Sequence, residues 1–358
     1  TWGMPGAYDS ARKTLIWGIA NPMPDQRMAR HGTADGTSKT APADLYSNST
    51  VAIDVNTGKL KWYYQHLPDD DWDEDWTNDR TLVSTAMNPT AATAKWFNKK
   101  IKPGERRDIV LATGEPGGVF ALDKHTGEFL WANPWPYDVP NFFIDHIDDN
   151  GLVYMKQDLL FTGPNQDKIV CFFNTRSYWS QGYSPVTNSL YVPWVDTCNS
   201  GHTKAPNTRS AHDGVVREGS KREEFSGISK INASTGKIDH IYKSAAPING
   251  AMLLTAGDLL FFGDLDRHLR ALDAETGKVL WSIPLHEQVG LVSTYGGRTN
   301  YPVIFEDLVI LGSVIVSWGD MAVPAHRFMG FDKRTGEFRW ITSSRVRPPD
   351  TIYSSPVI

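Results

Sequence analysis

The stretch Ala52-Ile53-Asp54-Val55-Asn56-Thr57-Gly58-Lys59-Leu60-Lys61-Trp62 decides the fold, because it recurs. It returns as Ala121-Leu122-Asp123-Lys124-His125-Thr126-Gly127-Glu128-Phe129-Leu130-Trp131, as Ala271-Leu272-Asp273 through Thr276-Gly277 to Trp281, and as Gly330-Phe331-Asp332 through Thr335-Gly336 to Trp340. A degenerate copy runs from Lys230-Ile231-Asn232 through Thr235-Gly236 to His240. In each, apolar residues before the Asp read as a strand, and the Asp carboxylate can accept from the N–H groups of the turn. Gly supplies the φ > 0 residue that closes a tight hairpin. The Trp, four residues after the Gly, places a large ring on the sheet face, where it can fill the wedge between neighbouring sheets. One copy alone reads as an ordinary hairpin; four full copies and a partial one read as a module.

The glycines at 58, 127, 236, 277 and 336 are separated by 69, 109, 41 and 59 residues. A four-stranded propeller blade occupies roughly 40–50 residues, so the shortest interval is one bare blade and the others carry long loops. Within the 109-residue interval, Tyr183-Ser184-Pro185-Val186-Thr187-Asn188-Ser189-Leu190-Tyr191-Val192 resembles Tyr8-Asp9-Ser10-Ala11-Arg12-Lys13-Thr14-Leu15-Ile16-Trp17, a second strand signal. The expectation is an all-β chain, a single β-propeller domain over 1–358 of four-stranded antiparallel blades, with five or six blades present and a last strand at Thr351 to Ile358.

Composition agrees. Thirty Gly, 22 Pro, 13 Trp and 13 Tyr in 358 residues are β-rich usage. Thirty-six Lys plus Arg against 41 Asp plus Glu give a charge of −5, which leaves no basic surplus for a phosphate backbone and excludes nucleic acid as an expected partner. No run approaches the ~18 apolar residues of a membrane helix. The two cysteines, Cys171 and Cys198, cannot make a four-cysteine zinc site and belong to no Cys-x-x-Cys-His haem string.

The densest charge is Asp69-Asp70-Asp71-Trp72-Asp73-Glu74-Asp75-Trp76, directly after the first repeat. A solvated loop would not carry two tryptophans; buried indoles draw alternate carboxylates toward a shielded site. Extended alternation would put Asp73 and Asp75 on one face. Two converging carboxylates repel unless a cation lies between them, and oxygen-only ligands suit a hard ion such as Ca²⁺. The loop is no EF-hand, since the sixth-position Gly is missing. Asn21, in Gly18-Ile19-Ala20-Asn21-Pro22-Met23-Pro24, is a further oxygen donor at a strand end.

These residues, in this order, resemble the pyrroloquinoline quinone (PQQ) dependent alcohol dehydrogenases, including methanol dehydrogenase, over roughly residues 1 to 285: Trp2 before the Tyr8-Asp9 strand, Asn21-Pro22 after it, the Asp-Thr-Gly repeat, then Pro68 to Asp73. The resemblance implies an eight-bladed propeller with PQQ beside a Ca²⁺ or lanthanide ion, and oxidation of an alcohol to an aldehyde or ketone by hydride transfer to PQQ. It implies Trp2 as the ring that stacks on the quinone, Asn21, Asp73 and Asp75 around the metal, and Asp73 as the base. Asp75 matches the extra carboxylate of lanthanide-dependent members. Cys171 and Cys198 fall where the family has a disulfide, which fits an oxidising periplasm. The implied partners are a small alcohol or polyol and a separate cytochrome c acceptor, and a homodimer is an admissible assembly. The blades before Trp2 would hold the remaining glutamate ligand and the adjacent-cysteine ring.

The chain departs from the pattern in four places. Glu115 stands where a Lys or Arg faces the quinone oxygens, Asn249-Gly250 where a Trp lies near the cofactor carboxylates, and Ser177-Tyr178 where an asparagine is usual. From about Leu285 onward the chain looks like non-enzymatic PQQ-like repeat propellers, so the rival reading is a scaffold or assembly module without cofactor. Trp135, Tyr137, Phe142 and Phe143 read equally as a substrate-pocket wall or as core between blades.

Overall fold

The computed structural model describes residues 4–31, 43–204, 211–290, 301–314 and 326–343; the expected strand at 351–358 lies outside them. The repeats build antiparallel sheets of propeller type, each with its strands side by side in chain order. The first blade comprises Ala7–Asp9, Thr14–Gly18, Ser49–Asp54 and Leu60–Gln65. The second comprises Thr81–Met87, Glu105–Thr113, Val119–Asp123 and Phe129–Asn133, with Trp96–Phe97 added at its edge. The third is Gly182–Ser184, Ser189–Val195, Ser226–Asn232 and Ile238–Ser244, the fourth Leu253–Leu254, Leu259–Gly263, His268–Asp273 and Val279–Pro284, and the fifth Val303–Phe305, Leu308–Val314, His326–Asp332 and Phe338–Ser343. The 41-residue interval ends in the bare fourth blade. Within the 109-residue interval lie two insertions, the hairpin Ile144–Ile147 with Val153–Met155 and the three-stranded sheet of Gln166–Cys171, Thr197–Thr203 and Ala211–Val216.

The two copies of the second strand signal open their blades in matching registers, Tyr8 opposite Leu15 and Tyr183 opposite Leu190. The Asp-Thr-Gly turn forms as its residues dictate. Asp54 Oδ1 accepts from the N–H groups of Asn56 and Thr57 at 3.0 Å, and Asp123 Oδ1 from His125 and Thr126 at 2.9 and 3.0 Å. Asn232 does the same in the degenerate copy, with Ser234 and Thr235 at 3.1 and 3.0 Å. Gly58, Gly127, Gly236, Gly277 and Gly336 all have φ between 69° and 80°.

The tryptophans dock one repeat on another. Trp62 Nε1 donates to the Lys124 carbonyl at 3.2 Å, and a Cβ on Gly127 would lie 2.6 Å from the Trp62 ring. Trp131 repeats this with the Ala233 carbonyl (3.2 Å) over Gly236, and Trp281 with the Lys333 carbonyl (3.2 Å) over Gly336. The glycine therefore serves twice, turning the chain and leaving room for the incoming ring. The copy whose Trp is replaced by His240 has a different neighbour, since a Cβ on Gly277 would meet the Ile241 carbonyl instead.

The chain divides into two compact units, 1–177 with 196–220 and 232–238, and 178–195 with 221–231 and 239–358. The first has a core that includes Trp62, Trp72, Trp76, Phe120, Phe142, Phe143 and Phe172. In the second, one core gathers around Tyr191, Ile228 and Phe262 and another around Phe261, Leu269 and Phe331. No helix among the described residues is long and apolar enough to cross a membrane.

Candidate functional site

The site is carried by the acidic loop between the first two blades, inside the first unit. The two tryptophans fix it. Trp72 is fully buried, its Nε1 donates to the Leu159 carbonyl at 3.0 Å, and its ring lies 5.0 Å from that of Phe161. Trp76 is stacked on His66, with centroids 4.2 Å apart and planes 10° apart, and a Cβ on Gly114 would lie 2.4 Å from its indole. Gly114 thus has no side chain because the ring occupies the space. Gly18 plays the matching part at the end of the strand that leads to Asn21, for a Cβ there would come 2.4 Å from the Trp76 carbonyl oxygen.

Asn21 lies between the two expected carboxylates. Its side-chain amide donates to Asp73 Oδ1 at 2.5 Å and its backbone N–H to Asp75 Oδ1 at 3.1 Å. Asp75 is tied to Glu115 by a reciprocal pair: Asp75 N–H donates to Glu115 Oε2 at 3.1 Å, and Glu115 N–H to the Asp75 carbonyl at 3.0 Å. Burial pushes the Asp75 carboxyl up, the Asn21 N–H pulls it back, and the Asp73 charge pushes it up again. Burial also drives Glu115 up to about 8; the charge of Asp75 adds to this, while the Asp75 N–H and the Ser177 hydroxyl oppose it. Asp73 and Asn21 are half-buried, whereas Asp75, Glu115 and Ser177 are buried.

The segment is not the extended strand that alternation predicts. Asp73 has φ +64° and Asp69 φ +57°. Asp70 causes the curl: its Oδ1 accepts from Trp72 N–H at 2.8 Å and its Oδ2 from Glu74 N–H at 2.9 Å. Asp71 holds the loop to its neighbours, accepting from Arg27 N–H at 2.5 Å and Phe161 N–H at 2.8 Å. Arg30 reaches the Asp70 carbonyl at 2.9 Å and pairs with Asp44 at 2.9 Å. Burial raises Asp69 to about 6 and Asp70 to about 7. Among the described residues no three His, Cys, Asp or Glu side chains form a ready-made metal cluster; what meets is one oxygen each of Asp73 and Asp75 on the side-chain amide and the backbone N–H of Asn21.

Residues 1–132 match the family model for the glucose/ethanol/alcohol dehydrogenase β-propeller domain, and residues 210–351 match that for the outer membrane protein assembly factor BamB. The chain is 27% identical over 345 residues to a quinoprotein ethanol dehydrogenase of Pseudomonas aeruginosa, covering 88% of this chain and 50% of that one. It is 26% identical to methanol dehydrogenase [cytochrome c] subunit 1 of Methylobacterium organophilum, over 85% of this chain and 47% of the relative. In sequence the chain is similar to quinoprotein alcohol dehydrogenases. It spans about half the length of the curated relatives it matches. Among solved structures, a europium-containing methanol dehydrogenase superposes with a TM-score of 0.66 at 23% identity, over 90% of this chain and 52% of that one. The quinohemoprotein alcohol dehydrogenase from Comamonas testosteroni gives 0.67 at 20% identity, over 97% and 49%. These two show the propeller fold.

The remaining expected site residues are distributed unevenly. Trp2 lies outside the described residues. Asn249 and Gly250 belong to the second unit, where a Cβ on Gly250 would lie 2.6 Å from the Gly263 carbonyl oxygen, so backbone packing already accounts for that glycine. Cys171 and Cys198 face each other across antiparallel strands with Cα atoms 4.4 Å apart and form a disulfide. Trp135, Phe142 and Phe143 are buried core, with Tyr137 packed against it, so the pocket-wall alternative falls for the first three.

Sequence reasoning passed over two features. His66, besides stacking on Trp76, shares a hydrogen bond with Thr50 Oγ1 (2.8 Å), which also accepts from Arg80 Nε at 2.9 Å; burial holds the imidazole well below its ordinary pKa, so it is neutral. Glu74 is fully buried, although alternation would have turned it away from the Asp73 face and toward solvent. Its only sequence signal was its place inside a tryptophan-flanked run.

Proposed function

We propose that this chain forms the cation- and quinone-facing part of a PQQ-dependent alcohol dehydrogenase. The meeting of Asn21, Asp73 and Asp75, 52 and 54 residues apart in sequence, carries the proposal. Oxygen-only donors of this kind fit Ca²⁺ or a lanthanide ion, and Asp75 favours the trivalent one by adding a carboxylate. Asn21 and Asp75 would hold the ion, with Asp73 at its edge. The quinone would lean on Trp2 and take polar contacts from Ser177 and Glu115; in the protein alone Glu115 keeps its proton to about pH 8, so it can donate to a carbonyl oxygen rather than repel it. When bound, PQQ supplies a two-electron acceptor and the ion Lewis acidity. Asp73, the more exposed of the two aspartates, takes the hydroxyl proton of a small alcohol or polyol, and Asn21 keeps its carboxylate aimed.

Electrons would pass to a separate cytochrome c, in keeping with the printed name of the methanol dehydrogenase relative. The Cys171–Cys198 disulfide supports a periplasmic setting. The single domain expected over residues 1–358 belongs to the same proposal. A second reading rests on the match of residues 210–351 to the BamB model: a cofactor-free assembly module. Equilibrium binding of PQQ with Ca²⁺ or a lanthanide, followed by alcohol-dependent reduction of an artificial acceptor, separates the two. The scaffold would bind no PQQ.

A further inference from the structure

Of the carboxylates in the acidic loop, Glu74 stands apart. Asp70 and Asp71 each receive two backbone N–H groups and are explained by the architecture of the loop. Asp69 has no hydrogen-bond donor among the described residues, but the Arg27 and Arg30 charges act on it. Among the described residues Glu74 has neither kind of compensation: it is 0% exposed, neither carboxylate oxygen has a hydrogen-bond partner there, and the leading groups acting on it are the carboxyls of Glu115, Asp70, Asp75 and Asp73. Burying a carboxylate with no donor and no counter-charge is strongly unfavourable, and the protein could have placed an apolar residue there instead. A group retained at such a position calls for a positive charge that the described residues do not supply.

We propose that Glu74 is a fixed counter-charge of the cation centre, adjacent to Asn21, Asp73 and Asp75 without being a ligand, and that it biases the site toward a trivalent over a divalent hard cation. The inference rests on the cation reading of the preceding section. Coulomb energy scales with the charge of the ion, so removing one negative charge at a given distance weakens a trivalent ion half as much again as a divalent one in free-energy terms. A tenfold loss of Ca²⁺ affinity then corresponds to about a thirtyfold loss for a lanthanide.

The test is binding of Tb³⁺ to the full chain, read by emission sensitised through the flanking Trp72 and Trp76 indoles, with Ca²⁺ as competitor. Glu74→Gln is expected to weaken Tb³⁺ by about thirtyfold where Ca²⁺ weakens about tenfold, and Glu74→Leu, which also lacks the charge, is expected to do the same. In the absence of metal both variants should melt no lower than the parent, because each removes a buried carboxyl that no described donor or cation compensates; a purely structural glutamate would lower the melting temperature. A parent protein that binds Tb³⁺ while both variants bind it equally well overturns this inference and leaves the cation reading standing. Equal fold-losses for the two ions overturn the charge argument. A parent that binds neither ion overturns the cation reading itself.

Discussion

The side-chain amide of Asn21 donates to Asp73 Oδ1 at 2.5 Å, joining the end of a first-blade strand to the acidic loop 52 residues away. The contact bears on the direction of a carboxylate whose own residue sits in the left-handed region, at φ +64°. Asn21→Ala should therefore leave the blades intact and lower alcohol-dependent acceptor reduction by roughly 100-fold, the scale on which an ångström of misplacement acts. Steady-state rates with PQQ and metal saturating would show it. Unchanged turnover would remove Asn21 from the site.

On the proposed reading, Asp75 is the residue that separates a trivalent from a divalent ion. Asp75→Ala should shift preference from lanthanide toward calcium, measured as the ratio of binding constants for the two. Identical ratios before and after the substitution would contradict its assignment.

The docking of Trp62 over Gly127 can be isolated by comparing two glycines of the same turn type. Gly58 and Gly127 have φ of 69° and 74°, but a Cβ on Gly58 meets nothing within 4 Å, whereas one on Gly127 meets the Trp62 ring at 2.6 Å. Gly58→Ala should destabilise by about 1–2 kcal/mol, the left-handed penalty alone. Gly127→Ala should add about 1–3 kcal/mol of overpacking. Chemical denaturation of the two variants measures the difference.

The repeat aspartates make the fold acid-labile. The Thr335 and Arg334 N–H groups and the Arg339 guanidinium pull Asp332 down to about 2, and the Thr276 hydroxyl and N–H lower Asp273. Burial raises Asp123, but the His125 and Thr126 N–H groups and Arg107 more than reverse it. Each folded carboxyl titrates below its unfolded value of about 4. Their stabilisation is therefore complete above about pH 4 and is lost as pH falls through the lowered values toward 2. Asp123→Asn should keep the turn, as Asn232 does natively, and flatten the melting temperature between pH 4 and pH 2.

The repeat was legible because its chemistry is local: Asp, Thr and Gly fold their own turn, and a Trp four residues on can only go where the next glycine leaves space. The partner of that Trp, a carbonyl 62 residues away for Trp62, follows from repetition. The convergence of Asn21 with Asp73 and Asp75 was legible through residue type and the family resemblance. The inside of the acidic loop was not. Alternation assumes an extended chain, and Asp70 overrides it by capping two N–H groups of its own loop, which turns Glu74 inward. The place of His66 against Trp76 was equally hidden, since nothing near His66 in sequence marks a stacking partner ten residues on.

The most direct measurement is made on the full chain incubated with PQQ and either Ca²⁺ or a lanthanide: near-ultraviolet absorbance of bound cofactor, together with alcohol-dependent reduction of an artificial acceptor, for the parent and for Asp73→Asn. The account predicts one PQQ per chain in both proteins and turnover in the parent alone. A parent that binds no PQQ, or an Asp73→Asn variant that turns over at the parental rate, would contradict it.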